Sequence, residues 1–398
     1  MSEKLFIADE DEIRNGTVMD VYFDRTKKIL DAKGLSDMKV VAEFTSGGLP
    51  NKWPWAVFCG LEEVIRLVEG LPIDLYAVPE GTIFKARDSA SVRVPLMNIA
   101  GAYADFGVYE TAMLGMLCQP SGVATSSARV KCAAKGKTVF AFGNRRMHPG
   151  IAGVLDRSCY VGGCDGVSST FGADLCGTEA VGTVPHALML SMGSNEAAFK
   201  AFDEIIDPKV ARIMLIDTFE DERAAAVAAC RSVKDLKGVR LDTPSSRRGN
   251  FKELINEVRW ELDINGYRDV KIIASGGLNE DSIKAIVDSA VAGFGVGTSI
   301  ANAPTLDFSM DIIEKEGRPI SKRGKFSGRK FAYRCPCCFE MGVSLSPEDH
   351  IECEKCKVEM EMIERPVLKN GKRVSPAMSP ADIRKSVLEQ LKVLGELQ

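Results

Sequence analysis

FGNRR at residues 142–146 is the first of three glycine-containing turns in the middle of the chain, followed by YVGGCDGVSST at 160–170 and GTVPH at 182–186. Glycine lets a backbone take positive φ or lie directly against a ligand, and adjacent arginines suit phosphate oxygens. Three such turns in series predict a pocket for phosphate and sugar, although any one alone would also fit a packing turn beside solvated side chains. The polar residues at these turns are Arg145, Arg146, Asp165, Ser168, Ser169, Thr183 and His186.

The region from Val139 to about Ile300 repeats a short apolar strand, a glycine turn and a helix. The predicted strands are TVFAFG, YVGGC, EAVGT, ARIMLIDT, GVRLDT, KIIASGG and GFGVGT. Strands too apolar to face water indicate a parallel sheet covered by helices. About seven such units predict a closed or nearly closed α/β barrel, whose chemistry lies at the carboxyl ends of the strands. The polar residues placed there are Arg145, Asp165, His186, Asp217, Arg240, Asp242, Ser275 and Thr298.

Two glycine turns end the last predicted strands, SGG at 275–277 and GVGT at 295–298. In barrels of this kind the loops after the final strands commonly bind phosphate through backbone N–H groups. We therefore predict a phosphate site at these turns, with glycine required only for steric reasons as the alternative. Its residues would be Ser275, Gly276, Gly277, Gly297 and Thr298.

LIDTFED and GVRLDT place two carboxylates and an arginine at adjacent strand ends. Asp217 and Asp242 there suit ribose hydroxyls or Mg²⁺, a hard ion that prefers oxygen ligands. Arg240 suits a carboxylate or a phosphate of the substrate, and a structural ion pair is the alternative reading of all three residues. His186 follows Gly182-Thr183 at a predicted strand end, and this position favours a catalytic role over a structural one.

Composition narrows the class of protein. The 398 residues predict two or three domains, and 45% hydrophobic with 27% charged residues is typical of soluble globular proteins. No apolar run reaches the ~18 residues of a membrane span, and the acidic start does not resemble a targeting peptide, so we predict a cytoplasmic protein. A net charge of −4 argues against a dedicated nucleic-acid binder.

The rest of the chain predicts two flanking parts. From Val40 to about Val94, alternating apolar residues, turn signals and one helix indicate an antiparallel α+β domain. A basic stretch at 318–334 precedes a cysteine cluster and a final amphipathic helix. The predicted division is an N-terminal antiparallel α+β domain at 1–118, the α/β barrel at 119–310, and a C-terminal part at 311–398.

Five of the twelve cysteines lie between residues 335 and 356. Two CxxC turns separated by a hairpin-length spacer are what a tetrahedral Cys₄ zinc site requires, so Cys335, Cys338, Cys353 and Cys356 are the predicted ligands. Cys337 is an ambiguous fifth thiol, and His350 is a less favoured substitute. Because four cysteines leave no open position, the site is predicted to be structural, with zinc supplying folding energy to a small subdomain.

Over residues 15–305 the chain resembles the nicotinate phosphoribosyltransferases. FGNRR, GGCDGVSS, GTVPH, LIDTFED, GVRLDT and SGGLNE occur in that family's order and rough spacing, and the N-terminal DVYF and PEGT…ETAMLGML also fit. With its cysteine-rich tail the chain looks most like the archaeal form. The resemblance implies the type II phosphoribosyltransferase fold, with a β-sandwich-like N-terminal domain at 1–118 and an irregular α/β barrel. It also implies a homodimer or larger assembly with shared active sites, and transfer of a phosphoribosyl group to nicotinate.

The resemblance also implies roles for particular residues. Tyr22 of a neighbouring subunit would stack on the pyridine ring opposite Phe142. Arg145 and Arg146 would contact a carboxylate or phosphate, Arg240 and Asp242 would bind at the ribose and base, and the two glycine turns would hold the 5′-phosphate. His186 falls where many members carry a histidine that ATP phosphorylates. Mg²⁺ would accompany phosphoribosyl pyrophosphate (PRPP).

Two alternatives remain open. SGGL is closer to quinolinate phosphoribosyltransferase, which shares the fold and decarboxylates its substrate, and TPSSRRGN after Asp242 offers Arg247 and Arg248 as an additional phosphate contact. A nucleic-acid-binding protein is the second alternative, because the basic stretch 318–334 with its aromatic residues adjoins the cysteine cluster. The simpler interpretation of that stretch is a solvated linker beside a bracing subdomain.

Overall fold

The computed structural model describes residues 5–397, which form two compact units. The first unit contains the residues up to Thr125 together with Ala303–Glu396, and the second contains Ser126–Asn302. None of the helices within residues 5–397 combines the length and the apolar character that a bilayer span requires.

The strands of the described residues are numbered in chain order. They are β1 (Lys39–Ser46), β2 (Ala56–Val57), β3 (Asp74–Ala77), β4 (Ile83–Phe84), β5 (Pro95–Ala102), β6 (Thr138–Ala141), β7 (Gly166–Val167), β8 (Arg212–Leu215), β9 (Leu236–Leu241), β10 (Lys271–Ala274), β11 (Gly293–Val296), β12 (Phe308–Lys315), β13 (Arg318–Pro319), β14 (Phe331–Arg334), β15 (Met341–Ser344), β16 (Glu361–Met362), β17 (Arg365–Lys369) and β18 (Lys372–Arg373).

The helices of the described residues are numbered in the same way. They are α1 (Glu10–Arg14), α2 (Val21–Ala32), α3 (Leu61–Val68), α4 (Tyr103–Phe106), α5 (Glu110–Ala133), α6 (Ala152–Val161), α7 (Thr170–Cys176), α8 (His186–Met192), α9 (Asn195–Ile205), α10 (Glu222–Ser232), α11 (Ser245–Arg248), α12 (Phe251–Ile264), α13 (Glu280–Ile286), α14 (Thr298–Ala301) and α15 (Pro380–Val393).

The first unit is built on one seven-stranded antiparallel sheet in the order β13-β12-β1-β5-β3-β17-β18. Phe44 of β1 stands opposite Met310 of β12 on one side and Met97 of β5 on the other. The side chains of Phe44 and Met97 are fully buried, as are Leu75 and Ile99 of the neighbouring strands. Burial of these apolar side chains supplies the main driving force for the fold of this unit. The predicted antiparallel pairing of the N-terminal strands is present.

The C-terminal residues belong to this same sheet. Strand β12 pairs along the whole of β1, and β17 pairs with β3. The observed grouping therefore differs from the predicted division at 1–118, 119–310 and 311–398, because main-chain hydrogen bonds join the two ends of the chain in one unit. One large sheet, rather than two facing sheets, carries the core of the unit.

The basic stretch 318–334 is folded into the first unit and is not a solvated linker. The ammonium group of Lys325 lies 2.5 Å from a carboxylate oxygen of Asp311, and that of Lys330 lies 2.9 Å from Glu43. The four side chains of these two pairs are at most 8% exposed. Buried charges of this kind are retained only when they are paired, so the cations serve the fold.

A half-buried carboxyl group opens α5 in the first unit. Burial, followed by the nearby carboxylate of Asp311, raises the pKa of Glu110 from 4.5 to about 7; Lys322 opposes this shift and Asp20 adds to it. Between these two pH values the folded state holds a proton that the unfolded state has released. The contribution of Glu110 to stability therefore falls as the pH rises from 4.5 through 7.

Replacing Glu110 with glutamine is expected to remove this pH dependence. The variant cannot ionise, so it should exceed the parent protein in stability by about 1 kcal/mol at pH 8, after allowance for solvent screening of a half-buried group. At pH 4.5 the two proteins should be nearly equal. Urea unfolding at both pH values measures the difference, and a stability difference that is the same at pH 4.5 and pH 8 would contradict the assignment.

The second unit contains a six-stranded parallel sheet in the order β7-β6-β11-β10-β9-β8. Helices follow most of its strands, as the alternating sequence pattern predicts. Within residues 5–397 no pairing joins β7 to β8, so the sheet is an open half-barrel with six strands rather than the seven-unit closed form. The parallel α/β prediction is confirmed and the closure is corrected.

Two of the predicted strands are wrong. Tyr160 and Val161 end helix α6, and the strand is only Gly166–Val167. The EAVGT segment at 179–183 forms no ladder; its contact with β7 is one hydrogen bond, donated by the amide of Val181 to the carbonyl of Val167 at 2.8 Å. Short apolar runs fit a helix end, a strand or an extended segment equally well by periodicity alone.

Candidate active site

A cavity of ≈390 Å³ opens at the carboxyl ends of the parallel strands in the second unit. The residues just after β6, β7, β9, β10 and β11 contribute to it, as expected for a parallel α/β sheet. Most of the sequence-predicted pocket residues therefore come together in one place. Its lining is Phe142, Asn144, Arg145, Arg146, Ser168, Val181, Gly182, Thr183, Arg240, Asp242, Ser275, Gly276, Gly277, Gly295, Gly297 and Thr298.

Arg240 is held in the wall of this cavity by two polar contacts. One terminal nitrogen donates to the hydroxyl of Thr183 at 2.6 Å and the other to a carboxylate oxygen of Asp242 at 3.2 Å. The guanidinium carbon lies 5.9 Å from the centre of the Phe142 ring, and the side chain is 14% exposed. The Arg240–Asp242 ion pair predicted as an alternative is thus present, and it leaves the guanidinium oriented at the cavity edge.

His186 lies between two carboxylates at the start of α8. Its Nε2 is 3.3 Å from an oxygen of Asp217, and its Nδ1 is 4.0 Å from an oxygen of Asp242. Burial raises the pKa of Asp217, His186 opposes that shift, and Asp242 adds to it. The side chain is 41% exposed, so the imidazole ring remains partly accessible to solvent and to a bound molecule although carboxylates lie beside both of its nitrogens.

The SGG turn has the geometry of a backbone binding loop. Gly276 and Gly277 both have left-handed φ values, 87° and 66°, which residues with a Cβ rarely adopt. Ser275 donates its hydroxyl to Asp242 at 2.7 Å. Arg248 donates to the carbonyl of Gly276 at 2.6 Å, and burial lowers its pKa. The turn is therefore held by side chains while Gly276 and Gly277 border the cavity.

Asp165 is not part of this cavity. Because β7 begins at Gly166, Asp165 precedes the strand and lies at its amino end. Its carboxylate accepts hydrogen bonds from the ammonium of Lys131 at 2.6 Å and from the amide of Val139 at 2.8 Å. The prediction that Asp165 belongs to the phosphate-and-sugar pocket is corrected to a structural ion pair with Lys131, since the wrong strand assignment placed it at the wrong end of the sheet.

Some residues at the cavity were not among the predicted site residues. Asn144 and Ser168 stand within the quoted turns, so only their contacts were unforeseen. Gly182 and Gly295 begin the quoted GTVPH and GVGT turns, whereas Val181 gave no chemical signal in the sequence because it contributes only backbone and shape. Tyr22, predicted from resemblance to act in a neighbouring subunit, belongs to α2 of the first unit and is 55% exposed.

The four predicted metal ligands meet in the first unit. The sulfurs of Cys335, Cys338, Cys353 and Cys356 all lie within 4.8 Å of one another, and those of Cys338 and Cys353 are 3.6 Å apart. Zinc–sulfur bonds of ~2.3 Å in a tetrahedron put sulfurs about 3.8 Å apart. The cluster thus has the composition and spacing to hold a metal such as zinc.

The two cysteine turns share one backbone conformation. The amide of the residue after the second cysteine, Phe339 or Lys357, donates to the carbonyl of the first cysteine at 3.1 and 2.9 Å. Both of these residues have φ of 55°. Cys337 is exposed and outside the cluster, and His350 is exposed and paired with Glu359. The fifth thiol and the histidine are therefore not needed to complete four ligands.

Comparison with known proteins identifies the family. The model of the quinolinate phosphoribosyltransferase N-terminal domain matches residues 20–121, and that of the C-terminal domain matches residues 123–311. Nicotinate phosphoribosyltransferase pncB2 of Mycobacterium tuberculosis is 30% identical over 343 residues, which cover 81% of this chain and 70% of that protein. The chain belongs to the nicotinate and quinolinate phosphoribosyltransferase family. This phosphoribosyltransferase is also 25% identical to the nicotinate phosphoribosyltransferase of Bacillus subtilis over 352 residues, 76% of this chain and 69% of that one.

Solved structures agree with that membership. A nicotinate-nucleotide pyrophosphorylase from Pyrococcus furiosus is 50% identical, with a TM-score of 0.93 and 99% of both chains covered. Human nicotinic acid phosphoribosyltransferase shares the fold at 18% identity, with a TM-score of 0.76 over 95% of this chain and 94% of that one. The half-barrel and the N-terminal sheet are thus those of a phosphoribosyltransferase of pyridine nucleotide biosynthesis.

Proposed function

We propose that the protein joins nicotinate to PRPP, giving nicotinate mononucleotide and pyrophosphate. The observation that carries this proposal is that Arg145, Arg146 and Arg240 line one cavity together with residues of two glycine turns. Backbone N–H groups of the SGG and GVGT turns suit the 5′-phosphate, and the arginines suit a carboxylate and the pyrophosphate. Curated relatives named nicotinate phosphoribosyltransferase support the choice of pyridine substrate.

The reaction does not require the protein to transfer a proton to or from the substrates. The lone pair of the pyridine nitrogen forms the bond to C1′ while the C1′–oxygen bond to pyrophosphate breaks, and that electron pair leaves with pyrophosphate. The transition state has oxocarbenium character, so the site acts by positioning and by charge stabilisation. Arg240 stabilises the leaving group, Asp242 orients Arg240 through their ion pair, and Phe142 offers a ring face to the base.

Two carboxylates fit the Mg²⁺ that accompanies PRPP. Asp217 and Asp242 present the hard oxygen donors that this ion prefers, and one oxygen of Asp217 has no hydrogen-bond partner among the described residues. Bound Mg²⁺ would neutralise charge on the pyrophosphate. We also propose that His186, accessible and held by carboxylates, accepts a phosphoryl group from ATP when turnover is coupled to ATP.

We also propose that the protein binds zinc and forms a homodimer. Zinc bound by the four clustered cysteines would brace the three strands β14, β15 and β16. A homodimer is supported by the apolar residues on α2, since Val21, Tyr22 and Ile29 are each more than half exposed. A second copy would cover them and would receive Tyr22, as the resemblance implies. The cytoplasmic location and the archaeal form of the enzyme stay predictions.

Quinolinate is the second candidate substrate, because the matching domain models are those of quinolinate phosphoribosyltransferase. Its second carboxylate would need additional cationic partners. The described lining of the cavity contains three arginines and no lysine, and Arg240 is already paired with Asp242. This charge count favours nicotinate. Nucleic-acid binding is not favoured, since the buried lysines of the stretch 318–334 are paired with carboxylates.

A substrate panel tests the assignment. The protein is incubated with PRPP and Mg²⁺ and with nicotinate, nicotinamide or quinolinate, each with and without ATP, and mononucleotide is quantified by chromatography. We expect product from nicotinate, and an increase with ATP that is lost in His186→Asn. Conversion of quinolinate with release of CO₂ would move the protein to the sister activity. Absence of product from all three would contradict phosphoribosyl transfer to a pyridine.

A further inference from the structure

One buried carboxylate lies directly behind the cavity. Asp156 on α6 is 1% exposed and does not line the cavity. A single oxygen of this side chain, Oδ2, accepts three hydrogen bonds. The side-chain Nδ2 of Asn144 donates one at 2.6 Å, and the backbone amide and the hydroxyl of Ser169 donate the other two at 3.0 Å and 2.6 Å. The three donors belong to two different turns.

Both turns contribute to the cavity wall. Asn144 begins the short 3-10 turn that carries Arg145 and Arg146. Ser169 follows Ser168 and caps α7, where its hydroxyl oxygen also accepts from the amide of Gly172 at 3.0 Å. Arg145, Arg146 and Ser168 all border the cavity. One oxygen atom therefore connects the turn after β6 with the turn after β7.

Helix α7 packs so closely against the Asp156 side chain that a side chain at Gly172 would not fit between them. A Cβ added at Gly172 would lie 2.3 Å from the Cβ of Asp156 and 2.5 Å from its Oδ2. Helix α7 can approach the carboxylate this closely only because residue 172 is glycine. The close approach brings the amino end of α7, and with it Ser169, within hydrogen-bonding distance.

The chemistry of the donors fixes their orientation. An ionised carboxylate only accepts hydrogen bonds, so the Asn144 side chain must turn its nitrogen toward Asp156. Hydrogen bonds to a charged group are stronger than neutral ones, and burying a carboxylate is costly unless such bonds are made. Each turn is thereby held by a bond that is costly to break.

We propose that Asp156 is a positioning residue of the active site. It holds the arginine turn and the Ser168 turn in one fixed arrangement, so that Arg145 and Arg146 are ordered before the substrate binds. Preordered side chains lower the entropic cost of binding. The functional part of this inference rests on the proposed phosphoribosyl transfer, whereas the tether between the turns does not.

Hydrogen–deuterium exchange tests the tether without any need for activity. In Asp156→Asn, exchange in peptides covering 142–147 and 166–170 should be at least about tenfold faster than in the parent protein. Asn144→Ala removes one donor only and should accelerate the first peptide alone. Ser158→Ala is the matched control, because this buried hydroxyl on the same helix donates to the carbonyl of Val154. Unchanged exchange at both turns in Asp156→Asn would overturn the proposal.

Steady-state kinetics tests the consequence for the substrate. With nicotinate and PRPP as substrates, Asp156→Asn and Asn144→Ala should raise the KM for PRPP about tenfold while kcat stays within about threefold. Ser158→Ala should change neither. A fall in kcat with unchanged KM, or parent values in both variants, would overturn the positioning role. If the parent protein forms no product, the proposed function fails, and the exchange measurement still decides whether the tether exists. If Asp156→Asn does not fold, Asn144→Ala is used for both the exchange measurement and the kinetics.

Discussion

Replacing Arg240 with alanine is expected to lower kcat/KM by at least 10²–10³-fold, the usual order for loss of a charge-stabilising donor. The guanidinium is positioned by Thr183 and Asp242 and borders the cavity, so it is the cation best held to meet charge on a leaving pyrophosphate. The fold should remain, since the lost contacts involve one side chain at the cavity edge. Product formation and circular dichroism measured on the same sample check both statements.

Two further variants separate catalysis from stability. Arg240→Lys keeps the charge but not the forked geometry, and it should recover only a small part of the activity. Arg259→Ala is the matched control, because Arg259 is similarly buried at 19% exposure, donates to the carbonyls of Val270 and Tyr267 and pairs with Asp263, and does not line the cavity. It should lose stability but not kcat. Parent-level turnover in Arg240→Ala would refute the role proposed for Arg240.

The second large effect is expected at the cysteine cluster. Cys353→Ser should reduce bound zinc from one per chain to under about a tenth and should destabilise the subdomain by at least about 3 kcal/mol, because metal binding supplies folding energy to so small a segment. Inductively coupled plasma mass spectrometry measures the metal, and limited proteolysis of the region 335–362 reports its unfolding. A chelator applied to the parent protein should reproduce both changes.

Cys337 provides the control for this experiment. It lies between two proposed ligands in sequence but is exposed and outside the cluster. Cys337→Ser should therefore keep one zinc per chain and the stability of the parent. Loss of metal in Cys337→Ser, or full zinc content in Cys353→Ser, would show that the four proposed sulfurs are not the ligand set.

Much of the candidate site was predictable because parallel sheets place strand ends together. Once β6, β9, β10 and β11 are predicted from short apolar runs that each end in a turn, the residues after them must converge on one edge of the sheet. The sequence therefore predicts that Arg145, Arg240, Asp242 and the two glycine turns lie together, and all of them line one cavity. The cysteine cluster followed from ligand spacing alone.

The wrong strand predictions around β7 have a physical cause, which is the shortness of that strand. Strand β7 has only two residues, too few for any periodic signal, and the apolar run before it satisfies a helix end equally well. Asp165 was misplaced by that error. Asp156 gave no signal, since a single acid in a helical stretch is usually solvated; only the packing against Gly172 shows that it is buried.

Pairing between distant segments was the other unpredictable feature. Nothing in the local pattern of β12 or β17 says that β1 and β3 are their partners, because strand periodicity reports which face is buried and not which neighbour is hydrogen-bonded. For the same reason, the sequence does not show that Asp311 and Glu43 pair with lysines of the stretch 318–334. The sequence pattern predicts solvated lysines in this stretch, whereas in the structure they form ion pairs with carboxylates.

The order of strands in the first sheet has a consequence for synthesis on the ribosome. Strands β1, β5 and β3 emerge early, but the strands that cover their two outer sides, β12 and β17, are translated only after the whole second unit. The contiguous segment Ser126–Asn302 can complete its own sheet while the nascent N-terminal strands still have two open edges. Open edges invite pairing with other chains. During the interval before β17 is made, the first sheet therefore has an unpaired edge at β3, whereas every strand of the second sheet is already present.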